Sequence, residues 1–340
     1  MDSIQNEAEL NNIITTPSKE LVDYMQILDG DIVILGVAGK MGVNLAVMAK
    51  RAIDLAGVQK RVLGVARFSD PEAQNILESA GVETRKCDLS NPDEVASLEK
   101  MKNVIYMVAK KFGTDGSEDI TWVMNTLVPG YVVRHFKDSN IVDFSTGCVY
   151  PLVDALEGGC DETVKPAPIG DYATSAYGRE MMFNYACRMW QTKVCHFRLN
   201  YSVDLRYGVL HDICQKIIKD EVVDLSTGHF NCLWQGDAVA QAILCLKLCS
   251  CPATPINITG PETLTMKDVA VKMAKLLGKQ VQFVGSPGKT YLSNSMQATK
   301  EFGYPSKSVD ELIQMQVKWL QNGGKSLGKP TKFEVTDGKF

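Results

Sequence analysis

The stretch from Asp31 to Leu55, DIVILGVAGKMGVNLAVMAKRAIDL, constrains the fold most, because it carries a strand, a turn and a helix in immediate succession. Ile32, Val33, Ile34 and Leu35 form an apolar, β-branched run, too short to cross a membrane and suited to a central parallel strand. Gly36, Gly39 and Gly42 punctuate the turn that follows. Met41, Leu45, Met48, Ala49 and Ala52 then recur at three- and four-residue spacing, so one face of a helix packs on the sheet, with Gly57 as its stop. Glycines in such a turn permit positive φ, let backbone approach a pyrophosphate and let helix and strand pack closely. The helix N-terminus directs its free N–H groups at the phosphates. A glycine-rich turn alone is ordinary loop punctuation. Set between a strand and an amphipathic helix, it points to a dinucleotide held by Gly36, Gly39, Lys40, Met41 and Gly42.

The pattern repeats along the chain. Arg61 to Phe68, Val82 to Cys87, Asn103 to Lys110 and Asn140 to Ser145 read as further strands. Between them, Asp70-Pro71 and Asn91-Pro92 each supply a cap and a proline at the first helical position, and Asp119 to Phe136 suits a longer helix kinked near Pro129. This alternation predicts an α/β fold, a Rossmann-type doubly wound parallel sheet. Residues 1–29 read as a polar extension with one helix from Ser18 to Leu28, and 30–200 as the dinucleotide-binding domain. Residues 201–340 read as a smaller substrate lobe with some strands returning to the main sheet. In that lobe helical patterns cover Val209 to Lys219, Asp237 to Leu248, Met266 to Leu277 and Val309 to Leu320, the third preceded by a Thr265-x-x-Asp268 box. Short strands are expected at Phe230 to Gln235, Ile256 to Thr259 and Val281 to Val284, and the tail from Asn322 is either a strap or a loose end.

At 340 residues, with a net charge of -4 and no basic stripe interleaved with aromatics, the chain has no nucleic-acid signature. Its first thirty residues carry no long apolar core, which argues against a secretory signal or membrane anchor. Ten cysteines without such a signal fit reduced thiols and a cytoplasmic location. Cys245, Cys249 and Cys251 are the one dense cysteine group, but no histidine stands at zinc-finger spacing, so buried thiols rather than a metal site are expected.

Cofactor preference is read at the end of the second strand, where an acid ordinarily binds the adenosine ribose. That position holds Val65-Ala66-Arg67-Phe68, with no acid, and Arg67 suits a 2′-phosphate, which favours NADP over NAD. Asp88, at the end of the third strand, is either an adenine contact or a solvated loop carboxylate.

Ser145-Thr146-Gly147-Cys148-Val149-Tyr150 completes a set of motifs resembling the extended short-chain dehydrogenases/reductases, the NAD-dependent epimerase/dehydratase family. The glycine motif, Cys87-Asp88-Leu89, Met107-Val108-Ala109, Asn125, Phe197-Arg198-Leu199-Asn200, Trp234-Gln-Gly-Asp237-Ala238 and Ile256-Asn-Ile-Thr-Gly260 fall in the family's order. The resemblance implies that Asp88 and Leu89 contact the adenine, that Val108 and Ala109 lie beside the nicotinamide ribose, and that Thr146 is the catalytic Ser/Thr. It also sets Tyr177-Gly-Arg179-Glu-Met181 against the family's Tyr-x-x-x-Lys, with Tyr177 as catalytic tyrosine and cofactor neighbour. In that mechanism the tyrosine transfers a proton while the lysine one turn later lowers its pKa. Met181 removes the lysine, and an unassisted tyrosine near 10 is about one part in a thousand ionised at pH 7. Either the positive nicotinamide of the oxidised cofactor stabilises tyrosinate, or Lys110 or Lys111, just past the fourth strand, offers a replacement cation, with Lys110 ranked above Arg179, which points away from the Tyr177 face. Thr146 is either a substrate contact or a turn hydroxyl satisfied by backbone, and Arg206 is either a substrate contact or simply the ion-pair partner of Asp204. The implied activity is hydride transfer on a sugar-like hydroxyl or ketone, with homodimerisation as a family expectation. The alternatives are a simple NADPH-dependent carbonyl reductase, or a cofactor sensor or partner-binding module with a degraded site.

Overall fold

The structure is a computed structural model that describes residues 4–111, 113, 116–329 and 331–338. Helices α1 (Glu7–Ile14) and α2 (Lys19–Ile27) come first. They lead into β1 (Ile32–Leu35), α3 (Gly42–Ala56), β2 (Val62–Ala66), α4 (Pro71–Ser79), β3 (Glu83–Lys86), α5 (Pro92–Ala96) and β4 (Asn103–Tyr106). Next are α6 (Glu118–Trp122), α7 (Val128–His135), β5 (Asn140–Thr146), α8 (Gly170–Trp190) and β6 (Lys193–Leu199). After β6 come β7 (Ser202–Val203), α9 (Val209–Ile218), β8 (Val223–Asp224), β9 (His229–Phe230), β10 (Leu233–Trp234) and α10 (Gln235–Leu244). The last elements are β11 (Thr254–Ile258), β12 (Leu264–Thr265), α11 (Met266–Leu277), β13 (Phe283–Val284), α12 (Met296–Phe302) and α13 (Val309–Gln321).

Seven strands form one parallel sheet in the order β11-β6-β5-β4-β1-β2-β3. The chain winds outward from β1 to β3 and then restarts on the other side at β4. The strand order therefore reverses between β1 and β4, which opens a crevice beyond their C-terminal ends. On one face, Leu21 and Met25 of α2, Leu45 and Met48 of α3, and Val239 and Ile243 of α10 close over the sheet. On the other, α7 and α8 contribute Val128, Val132 and Phe183, the last meeting Tyr106 edge-on at 5.5 Å between ring centroids. A second core gathers Ile213, Met273, Leu312 and Trp319 with Leu10 and Ile14 of α1.

Local rules account for most boundaries. Asp70 and Asn91 accept from the backbone N–H groups of Glu72 and Asp93, each ahead of a proline in the first turn, and Gly57 ends α3 at φ 67°. Helix α1, absent from the sequence reading, is capped by Asn6 and held by two buried side chains that nothing nearby in sequence explains. The helix expected from Asp119 to Phe136 is interrupted before Pro129, by the π-helical turn Val123–Leu127. Pro129 cannot donate to the preceding turn, and the wider turn absorbs the missing bond. The expected strand Phe230 to Gln235 splits in two, because β9 pairs with β12 and β10 with β7. Residues 325–329 and 331–338 form a strap: Leu327 N–H donates to the Arg206 carbonyl, Thr331 donates to Asp212 and Phe333 is buried. The cysteine group lies against the sheet, with Cys245 fully buried and the Cys249 thiol 3.4 Å from the Ile141 carbonyl. No helix among the described residues is long and apolar enough to cross a membrane.

Candidate active site

The crevice holds two cavities that meet at Gly36, Gly39, Met107 and Ala109. The first, about 410 Å³, is walled by Arg67, Asp88 and Leu89, which brings the residues expected around the adenosine half of a dinucleotide into one place, with Val108, expected by the nicotinamide ribose, on the same wall. Gly36 has φ 86°, and a Cβ there would lie 2.9 Å from Val108 Cγ2. A Cβ on Gly42 would lie 2.3 Å from the Val37 carbonyl oxygen, so helix and turn touch backbone to backbone. Helix α3 has no side-chain cap and no acid in its first turn, leaving its N-terminal donors and positive dipole end for an anion. An open backbone cradle and uncapped donors fit a pyrophosphate.

At the ribose end, Asp70 lines the cavity, but its carboxylate is occupied capping α4 at 2.9 Å. Asp88 is held below the ordinary carboxylate range, first by the Ser90 hydroxyl and backbone N–H and further by the Arg67 charge. Asn125 sits fully buried in the π-helical turn, accepting from Lys110 N–H at 2.8 Å and donating to the Lys110 carbonyl at 3.0 Å and the Ser175 hydroxyl at 2.9 Å. It thereby pins the loop after β4 to α8.

The second cavity, about 480 Å³, contains Thr146 at the end of β5 together with Lys40, Met41, Lys111 and Tyr172. Tyr172 shares a hydrogen bond with the Thr146 hydroxyl, and Lys111 Nζ approaches its ring to 5.6 Å from the centroid. Burial pushes the Tyr172 phenol up to about 12, with Cys148 adding to the rise and Arg179 and Thr146 opposing it. Burial also lowers Lys111.

Tyr177, the tyrosine expected here, lies elsewhere. Five residues along a helix is a rotation of about 500°, roughly 140° away from the Tyr172 direction. Its side chain packs with Val149, Tyr150, Cys160 and Ala176. The buried stripe of α8 runs through Tyr172, Ser175, Ala176, Arg179, Glu180 and Phe183, and Tyr172 is the tyrosine in phase with it. That periodicity was the available signal. Lys110 has its backbone clamped by Asn125, and the side chain lining the cleft is that of Lys111. Arg206 is turned aside: it pairs with Asp204 at 2.6 Å and Glu7 at 3.4 Å and does not line the cleft. Lys40 sends its side chain onto Tyr207, while its backbone stays in the glycine turn.

Behind the cleft, α8 is bolted to the sheet by buried charges. Arg179 pairs with Asp143 at 2.9 Å, and His196 Nδ1 lies 3.1 Å from the same carboxylate. Glu180 accepts from Arg198 at 2.9 and 2.7 Å and from Ser145 at 2.5 Å.

A doubly wound sheet with an open glycine cradle at its switch point defines a dinucleotide-binding protein. The family model for the NAD dependent epimerase/dehydratase family matches residues 32–202, and the chain belongs to that family. No curated protein matches it. Among solved structures it is similar to a UDP-galactose 4-epimerase (20% identity, TM-score 0.68, covering 86% of this chain and 99% of that one). It is also similar to the Thermotoga maritima UDP-glucose 4-epimerase (17%, 0.70, 86% and 99%) and to a Bacillus anthracis dTDP-glucose 4,6-dehydratase in complex with NAD (16%, 0.71, 86% and 96%). At these identities the likeness speaks for the fold.

Proposed function

We propose that this protein is an NAD(P)-dependent oxidoreductase interconverting a secondary hydroxyl and a ketone on a sugar-like substrate, with Tyr172 as the proton-transferring residue. The observation that carries the reading is the Thr146–Tyr172 pair at the mouth of the nicotinamide end of the crevice, with the Lys111 ammonium facing the tyrosine. A dinucleotide bound in the crevice would supply the hydride acceptor for oxidation and the hydride donor for reduction; in oxidation the ionised Tyr172 Oη takes the proton of the substrate hydroxyl, and in reduction the phenol gives it to the carbonyl oxygen. With its phenol raised to about 12, Tyr172 is neutral at pH 7 in the free protein and is ready to donate a proton to a carbonyl in the reverse direction. Thr146 orients the reacting oxygen. Lys111 supplies, from the loop, the positive charge that Ala176, one turn after Tyr172, cannot supply from the helix.

NADP is the preferred cofactor in this reading, because Arg67 borders the ribose end and Asp70 is committed to its cap. Homodimerisation is part of the reading too, supported by exposed Trp122, Leu127, Tyr185 and Met189 on the helices flanking β5. The test is cofactor-dependent absorbance change at 340 nm with sugars and ketones, run beside NADPH and NADH titrations. Tyr172→Phe should lower kcat by about 10²–10⁴-fold with cofactor affinity retained, while Tyr177→Phe changes it less than about twofold. The opposite ranking would sink the assignment, and failure to bind either dinucleotide would sink the whole reading.

A further inference from the structure

We infer that the cleft takes a small polyhydroxy carboxylic acid, its carboxylate lying among Lys40, Lys111 and Lys329 beside the reacting hydroxyl. This rests on the reading of the cleft as an oxidoreductase site and names its substrate class.

Among the described residues lining the cleft are three lysines and no Asp, Glu or Arg. The lysines arrive from three separate places: the glycine turn, the loop after β4 and the C-terminal strap. Lys40 Nζ rests on the Tyr207 ring at 3.1 Å from its centroid, which fixes that ammonium against the wall. The charged groups acting on it are Lys111 and Lys329 on one side and Asp204 and Asp212 on the other. Both carboxylates have other engagements, Asp204 with Arg206 and Asp212 as acceptor for Thr331 N–H at 2.8 Å and Oγ1 at 2.6 Å. Among the described residues the lining therefore carries lysines and no carboxylate, in a partly enclosed space where a bound anion gains most and in turn favours the protonated lysines.

Position separates a carboxylate from a diphosphate. Lys111 Nζ lies 5.6 Å from the Tyr172 ring centroid and lines the same cleft as Thr146, so an anion held by this lysine set shares the space of the hydroxyl that meets the phenol. In a nucleotide sugar reacting across the ring from its diphosphate, the whole pyranose would intervene. The strap points the same way. Lys329 and Thr331 line the cleft, while Lys329, Ser326 and Gly328 also line a separate groove with His211 and Lys216 of α9. The strap is thus a partition between the two spaces, anchored by Leu327, Thr331 and the buried Phe333, and a nucleoside extending toward α9 would run into it.

The experiment is isothermal titration of the full-length, NADP⁺-loaded protein with D-gluconate and D-galacturonate, beside neutral D-galactose and UDP-glucose. At least one acid is expected to bind about tenfold or more tighter than the neutral sugar, with affinity falling as salt rises. Lys329→Met should weaken that acid about tenfold and leave the dinucleotide affinity and the circular dichroism unchanged. Equal binding of acid and neutral sugar, tighter binding of UDP-glucose, no binding of either acid, or an acid affinity indifferent to Lys329→Met would each overturn the inference. These results leave the oxidoreductase reading intact, because that reading is judged by dinucleotide binding and by Tyr172→Phe.

Discussion

Replacing Arg198 with methionine should expose how much the buried charge network holds. Glu180 is 0% and Arg198 5% exposed, and their contact is bidentate at 2.9 and 2.7 Å. Arg198 also donates to Tyr150 Oη at 2.7 Å, and Tyr150 in turn donates to Asn257 Oδ1 at 2.9 Å, so the network ties α8, β6 and β11 together. Arg198→Met leaves the Glu180 carboxylate in the interior with the Ser145 hydroxyl as its remaining hydrogen-bond donor. Stranding a buried charge in this way costs about 3–5 kcal/mol, a large share of the roughly 5–15 kcal/mol that holds a folded protein together. The double variant Arg198→Met/Glu180→Met removes the charge along with its partner and should recover most of that loss. Urea unfolding followed by circular dichroism gives both numbers, provided the slopes agree. A pH series adds a sign. Burial alone would raise Glu180, but His196, Arg198 and Ser145 outweigh it and hold the carboxyl below its ordinary range. Its contribution is therefore complete above the unfolded value near 4.3 and lost as pH falls through the lower folded value. The double variant should lose less stability across that acid window than the wild type. A single-variant cost below about 1 kcal/mol, or a double variant worse than the single, would refute the reasoning.

Gly42→Ala brings a Cβ to 2.3 Å from the Val37 carbonyl oxygen, a backbone atom that cannot swing away; a loss of about 1–3 kcal/mol in urea unfolding is expected, with weaker dinucleotide binding. Lys40 is lowered to about 7, first by burial in the cleft and then by the Lys111 and Lys329 charges, against the pull of Asp204 and Asp212. Affinity for an anionic substrate should therefore fall as pH rises above about 7, and Lys40→Met should flatten that part of the profile, as read from KM between pH 6 and 9. Tyr185→Asp places a charge on the exposed apolar surface of α8 and should shift the protein to monomer in light scattering at micromolar concentration, with its fold unchanged by circular dichroism.

The parts of this fold written locally were legible. The strand, glycine turn and helix lie within one short stretch, and each Pro-initiated helix announces itself by its own cap, so β1, α3, α4 and α5 fall where the residues put them. Helix α1 was not, and the tail read equally as strap or loose end, because Leu10, Ile14 and Phe333 are buried in a core assembled from residues spread over the chain from Val203 to Trp319. Strand β4 is shorter than the expected Asn103 to Lys110: Met107 N–H still donates to the Leu35 carbonyl, but beyond it the chain leaves the ladder and Asn125 takes over the backbone bonds of Lys110.

The tyrosine and the lysine show two different limits. Matching a Tyr-x-x-x spacing picks out Tyr177, since the letters around it suit a motif, but a motif does not state which way a helix faces. The charged pair Arg179–Glu180 does: both side chains reach the interior, to Asp143 and to Arg198, and this fixes the rotation of α8 so that Tyr172 faces Thr146 and Tyr177 does not. The cation was lost at residue 176 under that rotation, just as at Met181 under the other. In the proposed reading its replacement cannot be found by spacing along α8, because Lys111 comes from the loop after β4 across the crevice, next to Lys110, whose backbone the Asn125 side chain grips. In that reading, moving the charge from helix to loop has a consequence for specificity. The resemblance puts a helix ammonium by the cofactor ribose, whereas Lys111 lines the cleft with Lys40 and Lys329. The residue proposed to compensate for Ala176 is thus also one of the three proposed to hold an anionic substrate.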